Sequence, residues 1–280
     1  MTDTTTWAEL LHPGDADDFF QRAVLPRFDP ALTSYDRDNA WWMAELSRLV
    51  YRHDVPETKP LTPSRAFFLA RAGLSEAKFF HDDKVGAQAF LVIAERPAFA
   101  ALVFRGTEQG AADFAADLAD LSVKSDDEIV DVHSGFKKQL DALWDDIERE
   151  LAKLTCPVFY AGHSLGAALA TLAAARRAPQ AVYAFGSPLV GNSAFARQTA
   201  RLPIHRVVDG SDIITVVPPP RFGFVHTGTE HRIGITKEKA DDQPRLTTTI
   251  LRVLRSLASI RRNPPKYLAD HAPKNYVERL

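Results

Sequence analysis

Between residues 88 and 209, short apolar runs alternate with longer segments of helical character, and this alternation limits the fold more than any other feature of the chain. QAFLVIAE (88–95) and FAALVFRG (99–106) have strand length and strand composition, and Arg96-Pro97 between them predicts a tight connection. From Ser134 to Leu154, the residues Phe136, Leu140, Leu143, Trp144, Ile147, Leu151 and Leu154 recur at helical spacing, with Lys, Asp, Glu and Arg on the other face. PVFYAG (157–162) then reads as a buried strand and 164–177 as an alanine-rich helix. AVYAFGSP (181–188) and IHRVVD (204–209) read as two further strands. Strand, helix, strand, helix, strand at these lengths predicts an α/β fold: a mostly parallel central sheet with helices on both faces. Upstream, WWMAELSRLVY (41–51) carries apolar residues at helical spacing and predicts a helix packed on the core. Residues 1–40 are polar and acidic with scattered prolines, and read as an irregular or helical lead-in. No stretch resembles a linker, so a single domain over 1–280 is expected.

Composition narrows the function classes. The chain has 280 residues, 45% hydrophobic and 25% charged, enough to bury a sizeable core. Its 34 basic and 36 acidic side chains give a formal charge of -2, which offers nucleic acid no electrostatic footprint. Cys156 is the single cysteine, so no intramolecular disulfide can form, and its position ahead of a strand suggests a small core residue. The first twenty residues lack a basic region followed by an apolar one. The stretch LGAALATLAAA (165–175) is too short to span a bilayer. These features give the expectation of a soluble, cytoplasmic protein. No His, Cys, Asp and Glu spacing suggests a metal site, so neither metal nor other cofactor is expected.

Chemistry concentrates at AGHSLGAALA (161–170), where Gly162-x-Ser164-x-Gly166 sits between the buried strand and the alanine-rich helix. A turn this sharp needs small residues two before and two after its apex, and it projects the apex side chain from the top of the sheet. Ser164 is therefore a candidate nucleophile. The N–H of Leu165, next to it at a helix N-terminus, is a candidate oxyanion donor. His163 is adjacent to Ser164, but neighbouring residues at such a turn point apart, so it fixes or underlies the turn rather than acting as base. A serine nucleophile also needs a histidine base and an acid to orient it. Asp209 and Asp212 both lie just past a predicted strand, with Asp212 in the loop where side chains converge at a sheet's carboxyl edge. His226, His231 and His271 all follow, and spacing alone does not choose among them.

Taken together, the motifs resemble the class 3 lipases, a family of α/β-hydrolase type. Beside the elbow, VFRGTE (103–108), VHSGF (132–136), FGSPLVGN (185–192), VVDGSDIITVVPPP (207–220) and GFVHTGTE (223–230) are similar to that family's blocks, in the same order. The similarity runs from about Trp41 to the C-terminus and leaves out the first forty residues. It implies Asp212 as the acid, with Asp209 capping the turn. It implies His271 as the base, within LADHAPKNYVERL (268–280), and a more structural role for His226. It also implies Thr107 as the second oxyanion-hole residue, and a lid over 108–118 carrying Phe114 and Leu118. His133 is implied to lie near the site without being the base. The expected function is a serine ester hydrolase, lipase or carboxylesterase, working through a covalent acyl-enzyme. The alternatives are a phospholipase A1-type acyl hydrolase and a non-catalytic scaffold of the same fold. The expected partner is an acyl ester or lipid, with transient contact at a lipid interface, and no nucleic acid. The lid-like stretch is poor in bulky apolar residues, so weak interfacial activation is expected. LTTTILRVLRSLASIRR (246–262) is basic and amphipathic, and packing on the domain is favoured over membrane binding.

Overall fold

The computed structural model describes residues 5–52, 61–107, 130–218, 223–234 and 263–280. The expected lid (108–118, with Phe114 and Leu118) and the basic stretch 246–262 lie outside the described residues.

Three consecutive strands, β1 (Leu74–Asp82), β2 (Ala87–Glu95) and β3 (Ala98–Phe104), pair antiparallel. From β3 the sheet continues in parallel through β4 (Val158–His163) and β5 (Ala181–Phe185). A short strand, β6 (Gly191–Asn192), leaves the sheet after β5. Then β7 (Ile204–Asp209) joins β5, β8 (Phe224–Val225) pairs antiparallel with β6, and β9 (Thr229–Ile233) joins β7 in parallel. Among the described residues the main sheet has the order β1-β2-β3-β4-β5-β7-β9, so the expected mostly parallel α/β sheet is what forms. Its two outer strands escape the sequence pattern for one reason. Leu74–Asp82 and Thr229–Ile233 lie at the edges and carry few buried apolar residues, as edge strands that must not recruit another chain usually do.

Successive residues of a strand face opposite sides, so each strand feeds two cores. Ala100, Leu102 and Phe104 face one side with Tyr160, Val182 and Ile204. Ala101 and Val103 face the other with Phe159, Tyr183 and Val207. The helices follow in chain order: α1 (Trp7–Leu11), α2 (Arg37–Leu49), α3 (Arg65–Arg71), α4 (Ser134–Leu151), α5 (Leu165–Arg176), α6 (Ser193–Thr199), α7 (Lys266–Ala269) and α8 (Pro273–Arg279). The first core is closed by α4 and α5, the second by α2, α8 and the lead-in.

The face predicted for α4 is the face it buries: Phe136, Leu140, Leu143, Trp144, Ile147 and Leu151. Its start is set by His133, whose Nδ1 accepts the N–H groups of Gly135 and Phe136 at 3.1 and 3.4 Å. In α5, every residue from Leu165 to Ala174 is buried, because the helix runs between the sheet and α4. Alanine keeps that helix thin enough to fit. The start of α2 lies four residues before the predicted Trp41, because Asp36 caps it by accepting the N–H of Asn39 at 2.8 Å. Cys156 is a free thiol of intermediate exposure at the margin of the first core, rather than a residue within it.

Candidate active site

The elbow follows from steric limits. A Cβ on Gly162 would lie 2.3 Å from the carbonyl of Gly166, and one on Gly166 would lie 2.1 Å from the carbonyl oxygen of Phe104. Only glycine lets the end of β4, the start of α5 and the end of β3 meet at this separation. Ser164 is held at φ 59°, ψ -127°, a region that side-chain-bearing residues rarely adopt. Its N–H donates to the carbonyl of Phe185 on β5 at 2.9 Å. It occupies the N-cap position of α5, yet its side chain makes no capping bond. Leu165 is the first residue of α5, where an N–H has no carbonyl within the helix to bond. Thr107 follows β3 after Arg105 and Gly106. A Cβ on Gly106 would meet the carbonyl of His163 at 2.7 Å, so the backbone just before Thr107 packs against the elbow.

The acid and the base arrive from two distant segments. Asp212 opens the short 3₁₀ turn Ile213–Val216, with Oδ1 accepting the N–H of Ile214 at 2.9 Å. Its Oδ2 accepts from His271 Nδ1 at 2.8 Å and from the Tyr276 hydroxyl at 2.6 Å. Asp212 is 2% exposed and His271 8%, so both carboxylate oxygens are satisfied away from water. The pair lies over Gly186. A Cβ there would sit 2.7 Å from Asp212 Oδ2 and 3.0 Å from His271 Nδ1. Gly186 directly follows Phe185, the residue that bonds the backbone of Ser164, so the pair and the serine share one corner at the carboxyl ends of β4, β5 and β7. With Nδ1 committed to Asp212, the remaining ring nitrogen of His271 is Nε2.

The remaining candidates have other partners. His226 Nε2 donates to the carbonyl of Thr215 at 2.8 Å. Burial, with the charge of Arg206, holds it down to about 4. His231 stacks on Tyr35, ring centroids 3.8 Å apart. The expectation that Asp209 caps the turn needs correction. Its backbone carbonyl accepts the N–H of Asp212 at 2.9 Å, but its side chain pairs with Arg279 on α8. Burial comes first among the influences on that carboxyl and raises it, against the pull of Arg279.

His163 does not point at Ser164. Its Nε2 donates to the backbone carbonyl of His271 at 2.7 Å, and its Nδ1 faces the Tyr51 hydroxyl at 3.2 Å. Burial, aided by the nearby His271, keeps its imidazole well below its ordinary value and therefore neutral. Tyr51 had no local signal in the sequence, because its partner lies 112 positions away. Among the described residues, no group of three or more His, Cys, Asp or Glu is placed to hold a metal ion. No described helix is long and apolar enough to cross a membrane.

Residues 101–222 match the family described as lipase (class 3). Over that stretch, less than half of the chain, it is similar to the class 3 lipases. A lipase of Rhizopus niveus is 34% identical over 149 residues, which cover 46% of this chain and 37% of that protein. Secreted mono- and diacylglycerol lipase 1 of Fusarium solani is 38% identical over 113 residues, 36% of this chain and 33% of that protein. A chloroplastic phospholipase A(1) of Arabidopsis thaliana is 37% identical over 107 residues, 31% of this chain and 24% of that protein. The aligned region thus spans about a third of the curated relatives' length or less. The solved structure of lipase II from Rhizopus niveus superposes with a TM-score of 0.57 at 24% identity, over 72% of this chain and 82% of that one, and shares its fold. The chain shares the α/β-hydrolase fold of these lipases, as expected. The expectation of a cytoplasmic protein is overturned, because relatives named as secreted lipases point outside the cell. The make-up of the first twenty residues does not by itself decide the compartment.

Proposed function

We propose that this chain is a member of the class 3 lipase family and hydrolyses carboxylic esters of lipid type through Ser164, His271 and Asp212. His271 Nε2 takes the hydroxyl proton as Ser164 Oγ bonds to the ester carbonyl carbon. The N–H groups of Leu165 and Thr107 receive the oxyanion, with the Thr107 hydroxyl beside them. The tetrahedral centre collapses, the C–O bond to the alcohol breaks, and His271 returns its proton to the leaving oxygen. Water, deprotonated by the same nitrogen, then attacks the acyl-serine; the carbonyl-carbon bond to Oγ breaks, His271 returns the proton to Ser164 Oγ, and the acid is released. Asp212 holds the imidazole in the tautomer this cycle needs and offsets its charge when it is protonated.

One observation carries this reading. A 2.8 Å bond between His271 and Asp212 is buried over Gly186, beside a serine in a strained elbow whose hydroxyl is spared from capping. The relatives named lipases support the reaction class, and the phospholipase A(1) supports acyl hydrolysis of phospholipids as the second reading. The test is Ser164→Ala against wild type, with a fluorophosphonate probe, p-nitrophenyl esters of rising chain length and a phospholipid. Wild type should label and turn over, and the variant should do neither, with turnover reduced by about three orders of magnitude or more. Labelling of neither protein would favour a scaffold, and turnover of phospholipid over neutral ester would favour the second reading. We propose contact with the lipid interface as transient. A sharp rate jump above a triglyceride's solubility limit would contradict it.

A further inference from the structure

The geometry points to Asp270 as a positioning residue that latches the loop carrying Asp212 to the turn carrying His271. Asp270 immediately precedes the histidine and Ser211 immediately precedes the acid. Asp270 is 1% exposed. Its Oδ2 accepts the backbone N–H of Ser211 at 2.9 Å and the Ser211 hydroxyl at 3.0 Å. The same oxygen pairs with Lys266 Nζ, one turn back at the start of α7, and Oδ1 accepts from Arg279 on α8 at 3.1 Å. The loop is shaped to receive this carboxylate. Gly210 has φ +46°, and a Cβ there would lie 2.5 Å from Asp270 Oδ2. Burial opposes the charge, but Lys266, the Ser211 amide and Arg279 outweigh it and hold the carboxyl below its ordinary value.

The reason such a latch is needed is chain connectivity. Ser211 and Asp270 are 59 positions apart, as are Asp212 and His271. Beside the Asp212–His271 bond, the Tyr276 hydroxyl on Asp212 and Arg279 on Asp209 also tie these segments together from α8, but neither contact joins Ser211 to the residue that precedes His271. The Asp270–Ser211 attachment lies one residue away from the pair on each side and restrains rotation about the Asp212–His271 bond, so the imidazole plane is set before substrate arrives. The kinetic consequence rests on the ester-hydrolase reading above; the structural consequence does not.

Three variants separate the roles. Asp270→Ala removes the latch. Asp270→Asn keeps an oxygen for the Ser211 N–H and hydroxyl. Lys266→Met removes an exposed charge partner, together with its 3.3 Å bond to the Ser211 hydroxyl, and leaves both Asp270–Ser211 bonds intact. We expect Asp270→Ala to lower kcat by about tenfold to a hundredfold with KM changed by less than about twofold, the signature of a misplaced reacting group. Asp270→Asn should recover most of the loss, and Lys266→Met should stay within about twofold of wild type. The readout that does not depend on turnover is the low-field proton NMR signal of His271 Nδ1–H. It should be present in wild type and Asp270→Asn, and broadened or absent in folded Asp270→Ala. An unchanged signal in Asp270→Ala overturns the latch, as does a Lys266→Met defect equal to that of Asp270→Ala. A wild type that hydrolyses no ester overturns the ester-hydrolase reading alone, because the NMR comparison still decides the latch.

Discussion

At the residue scale, the site depends on two kinds of histidine. His271 has its Nδ1 on a carboxylate, whereas His163 and His226 each commit Nε2 to a neutral backbone carbonyl in a buried position. Burial therefore keeps the latter two uncharged. For His226 the consequence has a definite sign. Its folded value is about 4, against 6.5 for the free side chain. As pH falls through 6.5, the unfolded chain takes up a proton that the folded one refuses, so stability is lost progressively between pH 6.5 and pH 4. His226→Gln keeps a donor for the Thr215 carbonyl and cannot titrate. Its melting temperature should fall less than that of wild type across this window, and parallel curves would contradict the assignment. Most nominated residues were legible as types in motifs. Asp209 was misread because its place at the end of β7 says nothing about Arg279, which reaches it from 70 positions away.

At the element scale, the elbow is a meeting of three backbones rather than a property of one turn. Phe104 at the end of β3, Gly162 in β4 and Gly166 in α5 approach so closely that only hydrogen fits at the two glycines. Gly166→Ala places a methyl group 2.1 Å from a carbonyl oxygen that belongs to a central strand and cannot retreat without breaking the sheet. We expect a loss of about 3 kcal/mol or more in denaturant unfolding, or failure to accumulate as soluble protein. Wild-type stability would show that the three segments separate more easily than their packing implies. The elements read most directly from sequence are those with a clear period, α4 above all. The strands β1 and β9 were missed because a half-exposed edge strand has no apolar run to detect. The helices α7 and α8 are short, and what holds them is tertiary: α8 packs on α2, and its Arg279 pairs with Asp209 and Asp270.

At the scale of the whole molecule, the lead-in proves to be part of the second core. Phe28 stacks on Phe99 with ring centroids 3.9 Å apart and meets Phe159 edge-on at 5.0 Å, so residues before Trp41 cover strands β3 and β4. Phe28→Ala should cost about 3–5 kcal/mol and be seen as a lowered melting temperature, because truncation empties the space of a buried ring packed against two others. A change within about 0.5 kcal/mol would mean that the lead-in merely rests on the surface. The sequence by itself determined what depends on near neighbours along the chain: the alternation of strand and helix, the amphipathic face of α4, and the glycine spacing that makes Ser164 an elbow residue. Motif resemblance nominated Asp212 and His271 while spacing alone left His226 and His231 open, and only the tertiary structure shows His271 meeting Asp212 from 59 positions away. It also decided that His163 and Asp270 secure the turn bearing His271. The physical reason is the same in each case: a hydrogen bond between distant segments is specified by the sheet that brings their ends together, not by the residues flanking either one.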